Sequence, residues 1–137
     1  MSKLTFIDTN ILMYAVGTEH PLKKPCLEII SKISQGEITA VTDTEVFQEV
    51  AYRYWCQHQW PKAVAILRDY QSLFSEILPI NTDILAIYYS LLTDYSFLSP
   101  RDAIHIAVMK SEKITHVYTA DKAFAKIPFL KVLGVGK

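Results

Sequence analysis

Short apolar runs of strand-forming residues alternate along this chain with stretches whose apolar side chains recur every three or four positions, and that alternation constrains the fold most tightly. Residues 4–7 (Leu4, Thr5, Phe6, Ile7) read as a strand that gives way at Asp8, Thr9 and Asn10 to a helix over 11–16. After a turn at Gly17, Pro21 opens a helix that Gly36 closes. Residues 38–42 form the next strand. A helix follows from about Asp43 to His58, and Pro61 starts another, so these two form a hairpin. A short extended piece at 77–80, a helix over 82–94 and a helix from Ser99 and Pro100 to about Lys113 come next. Strands at 116–119 and 130–133 complete the pattern.

Strands alternating with helices make βαβ units, and such units build a mainly parallel sheet with helices on both faces. The expected fold class is therefore α/β, a three-layer α/β/α sandwich. With 137 residues, half of them hydrophobic, one domain spanning 1–137 is expected. Asp8 and Asn10 interrupt the first apolar stretch, which then reads poorly as a signal peptide, and no run approaches a membrane span. A cytoplasmic protein without membrane attachment is the expectation. Cys26 and Cys56 offer neither a disulfide framework nor a zinc spacing and read as buried small hydrophobes.

Ligands of parallel sheets sit at the carboxyl ends of the strands. Four acids can reach that edge: Asp8 after the first strand, Glu49 in the helix after the second, Asp102 in the first turn of its helix, and Asp121 after the strand at 116–119. Packed carboxylates resist joint ionisation unless cations or protons lie between them, and all-oxygen ligation suits Mg²⁺ or Mn²⁺. Each acid also has a structural reading. Asp8 and Asp121 fit helix caps, Ser99 to Asp102 resembles a capping box, and Glu49 taken alone reads as a solvated helix residue. What lifts the set above its members is the helix that Asp102 heads, through Ala103, Ile104, His105, Ile106, Ala107, Val108 and Met109. It is apolar around its circumference and must be largely buried.

In chain order Ile7-Asp8-Thr9-Asn10, Glu49 within Thr44 to Val50, Asp102-Ala103-Ile104-His105-Ile106-Ala107 and Thr119-Ala120-Asp121-Lys122 resemble the four motifs of PIN-domain ribonucleases, and among them the VapC toxins of toxin–antitoxin pairs. That resemblance spans nearly the whole chain. It implies Mg²⁺-dependent, or Mn²⁺-dependent, hydrolysis of RNA phosphodiesters that leaves a 5′-phosphate and a 3′-hydroxyl. Asp8 and Asp102 would be direct metal ligands, Asp121 a ligand directly or through water, and Glu49 would orient ligands or water. Asn10 and Thr119 would support them. It also implies a homodimer and a small VapB-like antitoxin. Glu45, one helical turn before Glu49, is an alternative second acid, although the family pattern favours Glu49.

Other readings carry less. His105 reads as a packed, hydrogen-bonded histidine. Tyr52, Tyr54, Trp55 and Trp60 fit core and helix packing better than base stacking, and Lys23, Lys24, Arg53, Arg101 and Lys122 are phosphate-contact candidates. Charge is balanced at 14 basic and 14 acidic residues, so no global field draws the chain to nucleic acid. Three alternatives remain: an RNA-processing nuclease outside any toxin–antitoxin pair, a non-catalytic interaction module with the same fold, and an aspartyl-phosphate phosphotransfer domain using Asp8. The last lacks an acid at position 10, where Asn10 stands.

Overall fold

A computed structural model describes residues 3–135; positions 1, 2, 136 and 137 of the expected domain lie outside the described residues. Five parallel strands form one sheet in the order β3-β2-β1-β4-β5, so the expected mainly parallel sheet is parallel throughout. The strands are β1 (Leu4–Ile7), β2 (Thr39–Asp43), β3 (Glu76–Leu78), β4 (His116–Tyr118) and β5 (Lys131–Leu133). The helices are α1 (Thr9–Val16), α2 (Lys23–Ser34), α3 (Thr44–Cys56), α4 (Trp60–Gln71), α5 (Thr82–Asp94) and α6 (Pro100–Ser111). Most boundaries fall within a residue or two of those read from the sequence. The segment after Asp121 differs, being a 3-10 turn over Lys122–Lys126.

The chain leaves β1 for β2 and then β3 on one side, and returns across the sheet to β4 and β5 on the other. Parallel crossovers are right-handed. Leftward and rightward moves therefore place their helices on opposite faces, α1 to α4 on one and α5 with α6 on the other. The packing of α1 on α2 and α3, of α3 on α4, and of α5 on α6 agrees with this.

Because β1 is central, its side chains meet apolar groups from both layers, and Phe6 and Ile7 are fully buried with Val41 of β2 and Val117 of β4 beside them. Each such side chain stabilises the fold by about 1.5–3 kcal/mol. The apolar helix α6 is buried from Ile106 to Met109, as its composition required. Two buried hydroxyls tie the layers together. Thr42 donates to the Ile7 carbonyl at 3.0 Å, and Tyr70 of α4 donates to the Leu12 carbonyl of α1 at 2.7 Å.

Gly36, at φ 81°, takes the left-handed turn that ends α2. Some apolar positions on the α3–α4 hairpin turn outward instead of into the core. Tyr54 is buried, but Tyr52, Trp55, Trp60 and Val64 are exposed, and so is Cys56, which had read as a buried hydrophobe; Cys26 is buried as expected. A three-and-four spacing identifies a helix but leaves open which stripe meets the sheet when apolar residues occupy more than one face.

Candidate active site

Strand order reverses at β1, so the crevice between the carboxyl ends of β1 and β4 is the expected ligand site of this topology. Asp8 stands at its mouth, 4% exposed. Its backbone N–H continues the sheet to the Tyr118 carbonyl at 3.1 Å. Its Oδ1 accepts from the Thr9 N–H at 2.8 Å, and its Oδ2 accepts from the Thr119 hydroxyl at 2.7 Å and from Asn10 Nδ2 at 3.3 Å. Asn10 Oδ1 in turn accepts from the Ala120 N–H at 3.2 Å, and Thr119 Oγ1 from the Asp121 N–H at 3.0 Å. Asn10 and Thr119 thus sew the two strand ends together around the Asp8 carboxyl. Burial raises the pKa of that carboxyl, while His105 and the bonds from Thr119 and Thr9 counteract it.

Capping and clustering prove compatible. Asp121 caps its 3-10 turn through the Ala123 N–H at 2.9 Å. The Ser99 hydroxyl caps α6 by accepting from the Asp102 N–H at 3.1 Å, a bond that uses only the backbone of Asp102 and leaves its carboxyl free. That carboxyl meets Asp121. Burial, then the hydrogen bond and charge of Asp121, push Asp102 up to about 8, and the same bond holds Asp121 below the usual carboxylate range. The two carboxyls face one another and oppose joint ionisation.

Glu49 is 8% exposed on α3, with its Oε1 2.6 Å from His105 Nε2. The other ring nitrogen of His105 is 2.7 Å from Asp43 Oδ2, and Asp43 Oδ1 accepts from the Val46 N–H at 3.1 Å. Burial pulls the His105 pKa down, but its bonds to Asp43 and Glu49 outweigh that and raise it well above 6.5, so both nitrogens donate. His105 Nε2 also stands 4.0 Å from Asp8 Oδ1. The expectation of a packed, hydrogen-bonded histidine holds, but its partners belong to the acidic cluster. Asp43 had been read only as the start of α3, although an acid closing β2 as Asp8 closes β1 was a legible signal. Glu45 is half-buried and feels the cluster, its pKa raised by burial and then by the Glu49 charge; Glu49 lines the cleft and Glu45 does not.

Asp8, Glu49, Asp102 and Asp121 open together into one cleft of about 610 Å³. Of the five phosphate-contact candidates, Arg53 and Arg101 line it, and Lys62, which the sequence did not single out, joins them. Lys23 is engaged elsewhere, donating to the Gly17 carbonyl at 2.8 Å. Among the described residues no three His, Cys, Asp or Glu side chains stand preconverged as a ligand set. The fit to a divalent cation therefore rests on donor chemistry: hard carboxylate oxygens, two of them close enough to raise the pKa of Asp102, with a third buried carboxyl near them. The Thr9 hydroxyl, buried beside Asp8, has no hydrogen-bond partner among the described residues.

The PIN domain family model matches residues 5–130. Ribonuclease VapC13 of Mycobacterium tuberculosis is 33% identical over 130 residues, covering 95% of this chain and 99% of its own. Among solved structures, VapBC2 from Rickettsia felis bound to a DNA fragment from their promoter superposes with a TM-score of 0.73 at 21% identity, covering 95% of this chain and 97% of that one. A toxin–antitoxin complex from Klebsiella pneumoniae gives a TM-score of 0.65 at 25% identity, with 95% and 96% covered. No helix among the described residues is long and apolar enough to cross a membrane.

Proposed function

This chain belongs to the PIN domain family, and from that premise we propose that it is a Mg²⁺-dependent endoribonuclease, the toxin of a toxin–antitoxin pair. The observation that carries this reading is the meeting of Asp8, Glu49, Asp102 and Asp121 in one cleft where the strand order reverses. Asp8, Asp102 and Asp121 would hold Mg²⁺, or Mn²⁺. Such an ion, held there, would supply charge to stabilise the transition state of phosphodiester hydrolysis and would lower the pKa of its bound water. Thr119 and Asn10 fix the Asp8 carboxyl in place through the bonds described above. Glu49, held through Oε1 by His105 and behind it Asp43, orients the attacking water, and its second oxygen is left for that task.

Aspartyl phosphorylation at Asp8 is the weaker reading, because Asn10 stands where a second acid would be needed and the PIN domain model spans residues 5–130. The relatives named as ribonucleases favour catalysis over a bare interaction module. A VapB-like antitoxin is the proposed protein partner and the cytoplasm the proposed place of action. The exposed Tyr52, Trp55, Trp60 and Val64 on the α3–α4 hairpin support a homodimer. Purified Asp8→Asn and Asp102→Asn proteins, folded by circular dichroism, should each lose Mg²⁺-dependent cleavage of RNA. Undiminished cleavage by either would overturn the assignment.

A further inference from the structure

The acids occupy only part of the cleft. From Asp8 the groove follows α1 past Tyr14 to Gly17 and His20, and on the other side follows α3 from Glu49 to Arg53 and Gln57. One helical turn separates Glu49 from Arg53, a rise of about 6 Å, and a second turn reaches Gln57. Lys62, in the first turn of α4, closes that side with its Nζ 6.0 Å from the centre of the Tyr54 ring.

Two properties of this extension need a ligand to explain them. The first is that Arg53 and Lys62 share a cleft with four carboxylates, yet neither forms a salt bridge among the described residues; Arg101, on the same cleft, lies over the Tyr52 ring, 5.7 Å from its centre. Cations without a carboxylate partner beside acids are placed for an anion that spans the distance between them. The second is a flat platform. Tyr14 and His20 stack with centroids 4.5 Å apart and planes 30° apart, and the His20 ring is fixed because its Nδ1 accepts from the Leu22 N–H at 3.1 Å. Both residues line the cleft.

We infer that this half of the cleft is a subsite for single-stranded RNA flanking the scissile bond, with Arg53 and Lys62 against a backbone phosphate and the Tyr14–His20 pair beneath an unstacked base. The inference rests on the ribonuclease reading and deepens it. A nucleotide strand supplies phosphate and planar base at the same time, and a base is free to stack on a side chain only where the strand is unpaired. An acidic peptide would satisfy the cations but leave the ring pair without a planar partner. With formal charge zero over the whole chain, attraction comes from this local cluster.

The test uses Asp8→Asn protein, full length, and a fluorescein-labelled single-stranded RNA of mixed sequence, with affinity read by anisotropy across a salt series. Adding Arg53→Gln and Lys62→Gln should weaken binding about tenfold and flatten the slope of log affinity against log salt by about 0.7 for each cation removed. Tyr14→Leu should weaken binding about tenfold while Tyr14→Phe restores it, and Lys32→Gln on the outer face of α2 should change nothing. With Asp8 intact, the Arg53/Lys62 double variant should raise KM about tenfold and leave kcat within twofold. Unchanged affinity and salt slope, beside normal cleavage by the wild type, would overturn the subsite and spare the ribonuclease reading. Wild-type protein that neither binds nor cleaves RNA would remove both. Loss of binding to a polyglutamate probe with RNA affinity unaltered would assign the cations to a protein partner and overturn the subsite.

Discussion

Replacing Asp102 by Asn should make the metal-free protein more stable while abolishing its response to Mg²⁺. Burial and the adjoining Asp121 raise Asp102 from 3.8 to about 8, so at pH 7 the folded chain retains a proton that the unfolded chain has released. A group that binds its proton more tightly when folded loses stability as pH rises, here throughout the window from 3.8 to about 8. At about 1.4 kcal/mol per pH unit the full effect at pH 7 approaches ~4 kcal/mol. Asp102 is only half-buried and titrates together with Asp121, so solvent screening and coupling reduce this to about 1–2 kcal/mol. Asn has nearly the same shape and never has to be protonated. Thermal unfolding in EDTA at pH 7 should place the melting temperature of Asp102→Asn roughly 4–8 °C above wild type. His105, whose raised pKa gives stability present below pH 6.5 and lost as pH climbs through its folded value, affects both proteins and cancels in the difference apart from its direct attraction to Asp102. The gap should shrink at pH 5 and widen at pH 8, and Mg²⁺ at about 10 mM should raise the wild type by more than the variant. An Asn variant no more stable than wild type at pH 8, or a gap insensitive to pH, would refute the argument.

Removing the imidazole by His105→Leu strands the Asp43 and Glu49 carboxyls in the interior; urea unfolding should show a loss of about 3–5 kcal/mol. A Cβ at position 17 would stand 2.9 Å from the Met13 carbonyl oxygen, so Gly17→Ala should cost about 1–3 kcal/mol by the same assay. Lys113 lies at φ 58° just past α6, and Lys113→Gly should add about 0.5 kcal/mol by relieving the left-handed backbone. Titration with a disulfide reagent should find Cys56 reactive in the native state and Cys26 silent until unfolding, since Cys26 is buried and burial pushes its thiol up to about 11.

The sheet, its helices and the meeting of four acids were legible because strand ends and helix starts carry local signatures: Asp8 after Ile7, Ser99-Pro100 before Asp102, Thr119 before Asp121. What the sequence did not reveal depended on direction. Nothing local distinguishes the buried Tyr54 from the exposed Trp55 next to it, because α3 carries apolar side chains on more than one face. His105 was legible as a packed residue, but a partner sixty-two positions away in Asp43 is a product of topology. Lys62 escaped notice for a related reason, since it reaches the cleft only through the α3–α4 hairpin. The preference for Glu49 over Glu45 came from the family pattern alone, because their one-turn spacing does not provide the helix phase.

The bond from Thr119 to Asp8 joins residues 111 positions apart, across the pairing of the first strand with the fourth. Closing so long a loop is slow and comes after local structure has formed. While the chain is being synthesised, β1, α1 and α3 can fold on emergence, and their acids then lie open without the partners that complete the cleft. The acidic cleft therefore stays incomplete until β4 has been added and has threaded in beside β1. Sheet order thus works as a timer, delaying assembly of the four-acid cleft until nearly the whole chain has been made.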